Sequence, residues 1–426
     1  MKHGLIFSIV IFLVTPLLTA DELVQRVEEL SNVVAPDVVK WRRDFHTHPE
    51  LSNREERTSR VVAERLREIG VDGIKTGIAH HGVVALIKGN HPGPVVALRA
   101  DMDALPITEQ TGLPYASKNQ GVMHACGHDA HTAILLGTAK VLTQMRDEIH
   151  GTVKLIFQPC EEGAPPGEKG GASLMTEEGA LKDPDASAIF GLHVSPNVQV
   201  GYLEYCIGGA LAAVDQFKIE VMGKGGHAAM PWDGVDPVVA SSHIVIALQT
   251  ILSRIVDTRE TAVVTVGIIN GGTRWNIIPD VVTLEGTVRT HDEKVRKLIR
   301  GKFERIVKNT AAAHGAEAKI EYNSYGSVTW NDPELTRRML PTLGRAAGED
   351  NVLEGLPVMG GEDFAYYAKQ IPGLFFFLGV RNEDIGAVHM LHTSKLLLDE
   401  NAFPIGVRAM TLLALDYLRA EALGEK

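Results

Sequence analysis

Three short polar runs and two separated histidines carry the residue types that hold a metal ion and move a proton. Met123-His124-Ala125-Cys126-Gly127-His128-Asp129-Ala130-His131 sets a thiol and an imidazole one glycine apart, so Cys126 and His128 can reach one ion from a tight loop or an extended segment. Asp129 and His131 follow closely enough to orient a ligating imidazole through its second nitrogen. Gln158-Pro159-Cys160-Glu161-Glu162-Gly163 offers two adjacent carboxylates. Neighbouring side chains diverge, so one can bind metal while the other takes a proton from water, provided the loop aims both inward. His193 and His392 add separated imidazoles, and Leu98-Arg99-Ala100-Asp101-Met102-Asp103 adds carboxylates. A lone cysteine is ordinary core and a Glu-Glu pair is commonly solvated surface. Here the thiol sits in a Cys-Gly-His-Asp run and the carboxylates follow an apolar strand, which favours metal-assisted hydrolysis.

These residues need elements to position them. Leu23, Val27, Leu30, Val38 and Trp41, then Val61, Val62 and Leu66 before Gly70, predict two helices. Val83 to Ile87 and Val95 to Leu98, separated by Gly89-Asn90-His91-Pro92-Gly93, predict neighbouring strands. His131 to Val141 reads as a helix, Thr152 to Phe157 as a buried strand, Ala172 to Gly179 as a helix, and Ala188 to Leu192 as a strand ending just before His193. This alternation predicts an α/β layered body with its site at strand ends.

Near Gly201 the pattern changes. Phe217 to Val221, a helix over Pro237 to Ile255, Ala262 to Ile269, Val281 to Arg289, a charged helix over Glu293 to His314 and Ala318 to Tyr322 give a β-α-β-β-α-β order, that of a two-layer ferredoxin-like unit. Leu374 to Val380 then returns to an apolar strand, so the smaller unit is read as inserted into the larger one. The expected division is 1–20 export segment, 21–204 and 323–426 catalytic domain, and 205–322 inserted domain.

Composition bounds the rest. The 426 residues, 45% hydrophobic and 22% charged, are enough for two packed domains and argue against disorder. A net charge of −11 disfavours nucleic acid as a partner, because no basic excess meets the phosphates. The opening MKHGLIFSIVIFLVTPLLTA has the basic start, short apolar run and terminal small residue of an export signal, predicting a periplasmic or secreted protein without stable membrane association after cleavage. Only Cys126, Cys160 and Cys206 exist, so no disulfide framework supports the fold. A Cys126 to Cys160 bridge would compete with metal binding.

The runs RADMDALP, HACGHDAH, QPCEEG, GLHV, GKGGHAAMP, GGTRWNIIPD, MGGEDFAYY and LHTSKLLLDE resemble, in order, those of the M20 metallopeptidase clan, and most closely its amidohydrolase branch of hippurate, N-acyl-amino-acid and auxin-conjugate hydrolases. The resemblance implies Cys126, His128, Glu162, His193 and His392 as ligands of two divalent ions per subunit, with Glu161 as catalytic base. It implies Mn²⁺ or Zn²⁺ first, with Co²⁺ or Ni²⁺ also compatible with a mixed thiolate, imidazole and carboxylate set. It further implies a mixed-sheet catalytic domain with an inserted lid and dimerisation domain, and a homodimer. His227 of that lid would contact the scissile carbonyl, often from the neighbouring subunit, while Asn276 and Arg289 would face the substrate. Other branches carry a His-x-Asp run where this chain has Asp101-Met102-Asp103, which leaves the role of Asp103 open. The implied substrate is an N-acyl-amino acid or small peptide. A dipeptidase or carboxypeptidase is the neighbouring alternative, and a non-catalytic metal-dependent binding protein ranks lower because it would need the ligands but not Glu161.

Overall fold

The computed structural model describes residues 18–424. The expected export segment lies outside the described residues except at its end. There Leu18 donates its amide to Glu148, and Thr19 forms a reciprocal capping box with Glu22 at the start of α1 (Ala20–Thr47). The first part of the larger lobe continues with α2 (Glu56–Ile69), β1 (Asp72–Ile78), β2 (Gly82–Lys88), β3 (His91–Asp101), α3 (His128–Thr143), β4 (His150–Gln158), α4 (Gly171–Glu177), β5 (Ala188–Gln199) and β6 (Leu203–Tyr205).

The chain then crosses through β7 (Gly208–Leu211) into a second lobe. This contains β8 (Ala213–Met222), β9 (Gly226–His227), α5 (Pro237–Thr250), β10 (Ala262–Gly271), β11 (Ile277–Ile278), β12 (Val281–Thr290), α6 (Glu293–Ala313) and β13 (Glu317–Gly326). It returns through β14 (Thr329–Asn331), which pairs with β7 as a two-stranded ribbon, to α7 (Pro333–Ala347), β15 (Val352–Glu354), α8 (Ala365–Ala368), β16 (Gly373–Arg381) and α9 (Phe403–Leu423).

The larger lobe is built on an eight-stranded mixed sheet of order β1-β2-β4-β3-β5-β16-β6-β15. Its central strands β4, β3, β5 and β16 run parallel and are apolar on both faces, as strands covered by helices must be. Val96, Leu98, Val153, Leu155 and Phe157 face the core shared with α1, α3 and α9, whereas Ala97 and Ile156 face the smaller core under α4 and α8. In the second lobe the strands lie antiparallel in the order β10-β12-β8-β13, the ferredoxin-like order. Phe217, Ile219 and Leu284 of that sheet pack against Ile244, Leu248, Ile299 and Phe303 of its two helices.

Two expectations need correction. β2 and β3 are not neighbours, because β4 lies between them, antiparallel to one and parallel to the other. The glycines that read as a hairpin turn serve close approach instead: a Cβ on Gly89 would meet the Ile149 carbonyl oxygen at 2.0 Å, and one on Gly93 would meet that of His150 at 2.3 Å. β5 does not end before His193 but continues to Gln199, because it keeps pairing with β16 after its pairing with β3 stops at Gly191. The helix from Pro237 spans to Ile255 as expected, its last turn over Ile251–Ile255 closing in π geometry.

Candidate metal centre

The sheet opens where β5 parts from β3, and the Cys126-Gly127-His128 turn fills the gap. Gly127 caps α3 at φ 91°, and a Cβ on it would stand 2.4 Å from Cγ2 of Val194. Only glycine fits there without displacement, which accounts for the one-residue spacing of thiol and imidazole. The ligand atoms of Cys126, His128 and His193 lie within 4.8 Å of one another, with Cys126 Sγ 3.4 Å from His193 Nε2. The same is true of Cys126, Glu162 and His392, and of His128, Glu161 and Glu162. All five expected ligands and the expected base thus converge through shared members.

His128 and His193 are oriented from behind through their second ring nitrogens, and His392 through its backbone. Asp103 Oδ1 sits 3.1 Å from His128 Nδ1, while Asp103 Oδ2 accepts from Ser52 Oγ at 2.7 Å and the Glu162 amide at 3.0 Å. His193 Nδ1 lies 2.8 Å from its neighbour's carbonyl, which turns Nε2 toward the thiol. His392 is held at φ 62° by its own amide, which donates to the Ala125 carbonyl at 2.7 Å. The side-chain atoms that remain are the telling ones. His128 Nε2 and Glu162 Oε1 are buried without hydrogen-bond partners, 4.0 Å from each other, and Glu162 Oε1 is 3.3 Å from His392 Nε2. Buried groups left unpaired are costly, and a divalent cation bound by imidazole, thiolate and carboxylate would satisfy them together. The donor set therefore fits a metal centre, and its overlapping groups fit two ions.

The electrostatics agree. Burial pushes the Cys126 thiol well above its ordinary pKa, with His128 pulling partly back, so a cation is what would favour the thiolate. Burial also holds His193 well below the usual histidine value, leaving a neutral, ligating imidazole. Burial first, then the charges of Glu362, Glu162 and Asp363, raise Glu161 well above the carboxylate range. Asp103 resists burial because its bond to His128 holds it below the ordinary aspartate value.

Behind this centre stands an arginine that sequence reasoning passed over. Arg99, fully buried at the end of β3, donates to Asp101 at 2.7 Å, Gln158 at 2.9 Å and Asp363 at 2.9 Å, and lies 3.0 Å from Glu362. Asp363 also accepts from Gln158 Nε2 and the Ala172 amide, both at 2.7 Å. The one available signal was an arginine within an otherwise apolar strand. His131 lies between Asp101 Oδ1 at 2.6 Å and the Val194 amide at 2.9 Å, so it braces β5. Asp129, expected to orient a ligand, instead pairs with Arg42 and His46 of α1, both at 2.8 Å.

The lid residues are placed differently. His227 is exposed on β9, accepts from the Ala229 amide through Nδ1, and belongs to none of the ligand groups among the described residues. Asn276 accepts from the Ala228 amide through its carbonyl, and its side-chain oxygen is buried without a partner. Arg289 is half-buried and reaches the wall of the larger lobe: a Cβ on Gly361, next to Glu362, would lie 3.6 Å from its Nη1.

A two-lobed α/β body with a dinuclear-type ligand cluster at the ends of its parallel strands defines a metal-dependent amidohydrolase. The profile of peptidase family M20/M25/M40 matches residues 97–416. The chain is 43% identical to the N-acetyl-L-cysteine deacetylase of Bacillus subtilis, over 85% of this chain and 83% of that protein. It is 39% identical to thermostable carboxypeptidase 2 of Saccharolobus solfataricus, over 93% and 99%. The crystal structure of the Bacillus subtilis YXEP protein, described as a dinuclear metal-binding peptidase of the M20 family, superposes with a TM-score of 0.79 at 37% identity, covering 91% of this chain and 99% of that one. The protein belongs to peptidase family M20, in its amidohydrolase-type branch, and hydrolyses amide or peptide bonds.

Proposed function

We propose that the protein hydrolyses N-acyl-amino acids, releasing a carboxylate and a free amino acid. The observation that carries this reading is Glu161, a largely buried carboxylate set among the ligand atoms and held by a single long hydrogen bond, from the Asp363 amide at 3.4 Å, where Asp103 and Asp363 are each tied by several shorter ones. Cys126, His128, Glu162, His193 and His392 would hold two divalent ions, Mn²⁺ or Zn²⁺ ahead of Co²⁺ or Ni²⁺. Bound metal supplies a more acidic water and a polarised carbonyl. Glu161 takes the proton of the attacking water and delivers it to the leaving nitrogen. Arg289 holds the substrate carboxylate and Asn276 an adjacent polar group. His227 meets the charge developing on the carbonyl oxygen. His227 is exposed in one chain, which leaves it free to reach the site of a second copy and supports action across a dimer. The edge strand β10, with Ile268 and Ile269 exposed, and Val238, Val239 and Ile246 on α5 support such a homodimer. The opening segment supports export to the periplasm or medium.

The carboxypeptidase reading is favoured by the archaeal relative, which matches nearly end to end. A panel of N-acetyl-, N-benzoyl- and dipeptide substrates on metal-reconstituted enzyme separates the two, with kcat/KM highest on an acyl substrate if the proposal holds. Glu161→Gln should keep its metal and lose hydrolysis; equal turnover in the two proteins removes Glu161 from the base role, and the binding-protein alternative requires instead that metal-loaded wild type turn over none of the panel.

A further inference from the structure

Segment 50–55, between α1 and α2, touches both the loop that carries Asp103 and the loop that carries Glu161 and Glu162. The Glu50 carbonyl accepts from the Ala104 amide at 2.8 Å, and Leu51 bridges to Ala104. Ser52 donates to Asp103, and Asn53 Nδ2 donates to the Lys169 carbonyl at 3.0 Å, beyond the Glu161-Glu162 loop. Glu55 is wholly buried, and its Oε1 accepts from the Cys160 amide at 2.8 Å.

Two observations set this carboxylate apart from ordinary packing. It stands at the N-cap of α2, where a side chain normally accepts from its own helix, yet it makes no such bond. Its second oxygen is buried without a partner, a burden on stability that packing alone does not explain. The residue it holds, Cys160, has φ 62°, a left-handed conformation that costs a residue with a Cβ roughly 1–2 kcal/mol. Glu55 grips the amide of residue 160 and Asp103 that of residue 162, so the backbone is pinned on both sides of Glu161.

We propose that Glu55 is a positioning residue of the hydrolytic centre, locking the left-handed turn at Cys160 that aims Glu161 and Glu162 together at His128. The proposal rests on the reading of Glu161 as base and Glu162 as ligand. A left-handed residue at Cys160 turns the chain sharply as it leaves β4, which sets the direction in which the Glu161-Glu162 pair enters the site. With the turn in place, both carboxylates come within 4.0 Å of His128 Nε2.

The test is a double-mutant cycle of Glu55→Ala with Cys160→Gly, since glycine adopts the left-handed turn without needing to be held. Purified full-length proteins are compared for kcat, KM and Mn²⁺ and Zn²⁺ affinity by chelator competition. In the wild-type background Glu55→Ala should lower kcat and metal affinity by about tenfold or more, the effect of losing a group that orients ligands, with KM within twofold. In the Cys160→Gly background the same change should cost less than threefold. Glu55→Asp, which withdraws the carboxylate by one methylene while keeping its charge, carries the same test if Glu55→Ala does not fold. Equal losses in both backgrounds, or wild-type kcat and affinity in Glu55→Ala, would overturn the proposal. Glu161→Gln run alongside keeps the two ideas apart: full turnover there sinks the base assignment, while metal affinity still reports on Glu162 and hence on Glu55.

Discussion

Gly127→Ala probes the geometry that lets Cys126 and His128 share an ion. At φ 91° an alanine pays roughly 1–2 kcal/mol for the left-handed conformation. Its Cβ would also press on Val194 Cγ2 at 2.4 Å and stand 3.6 Å from Leu398 Cδ1, an overpacking in a closed region worth about 1–3 kcal/mol. Together these give about 2–5 kcal/mol of destabilisation. Gly70→Ala is the matched control: it lies at φ 84° at the end of α2, with nothing within 4 Å of the added Cβ, so it should cost only the conformational share. Urea unfolding of metal-stripped protein measures both. Any relaxation that relieves Val194 must move Cys126 against His128 or push His193 outward, so metal affinity should fall along with stability. If Gly127→Ala is no less stable than Gly70→Ala and binds metal as wild type does, the close-approach reasoning is wrong.

Further outcomes follow from the same contacts. Asp103→Asn must present either its amide nitrogen to His128, forcing the wrong tautomer, or that nitrogen to the Glu162 amide; metal affinity should fall by about ten- to a hundredfold, and a change under twofold removes Asp103 from its orienting role. Asp129 is buried, which pushes its pKa up, yet Arg42 and His46 hold it well below the ordinary value; its stabilisation is present above about pH 4 and lost as pH falls further. Asp129→Asn should therefore cost roughly 3–5 kcal/mol near neutrality and flatten the acid limb of stability, whereas parallel pH curves would contradict the pairing. Restoring Mn²⁺ or Zn²⁺ to stripped protein at a hundred times its Kd should add about 2.7 kcal/mol to unfolding for each site filled. At that same concentration Cys126→Ser should gain far less, and an equal gain would exclude the thiol as a ligand.

The helices and strands were largely legible because their apolar positions repeat with the right period, as in the Leu23, Val27, Leu30, Val34 and Val38 stripe of α1. Which strands pair was not, since β4 is inserted between β2 and β3 by contacts distant in sequence, and the glycines permitting it look like a hairpin turn. Cys126, His128 and Glu162 announced themselves because ligands cluster in polar runs. Arg99 and Glu55 did not: one sits in a strand and the other in a charged segment at a helix start, and their partners lie as far away as Asp363 and Cys160. His227 shows the converse, a motif residue whose surroundings in a single chain give it no partner in the metal cluster.

The second lobe separates His193 from His392 along the chain, although the two meet in one centre. A ribosome working at about 5–20 residues per second needs roughly 10–40 s to cover the intervening 200 or so residues. Throughout that interval Cys126, His128, Glu162 and His193 exist without the imidazole that closes the set. His392 docks by its amide on the Ala125 carbonyl, immediately before Cys126, so closure is the act of the last segment made. A centre assembled in this order has its full donor set only after the second lobe has been made and the chain has returned to the larger one.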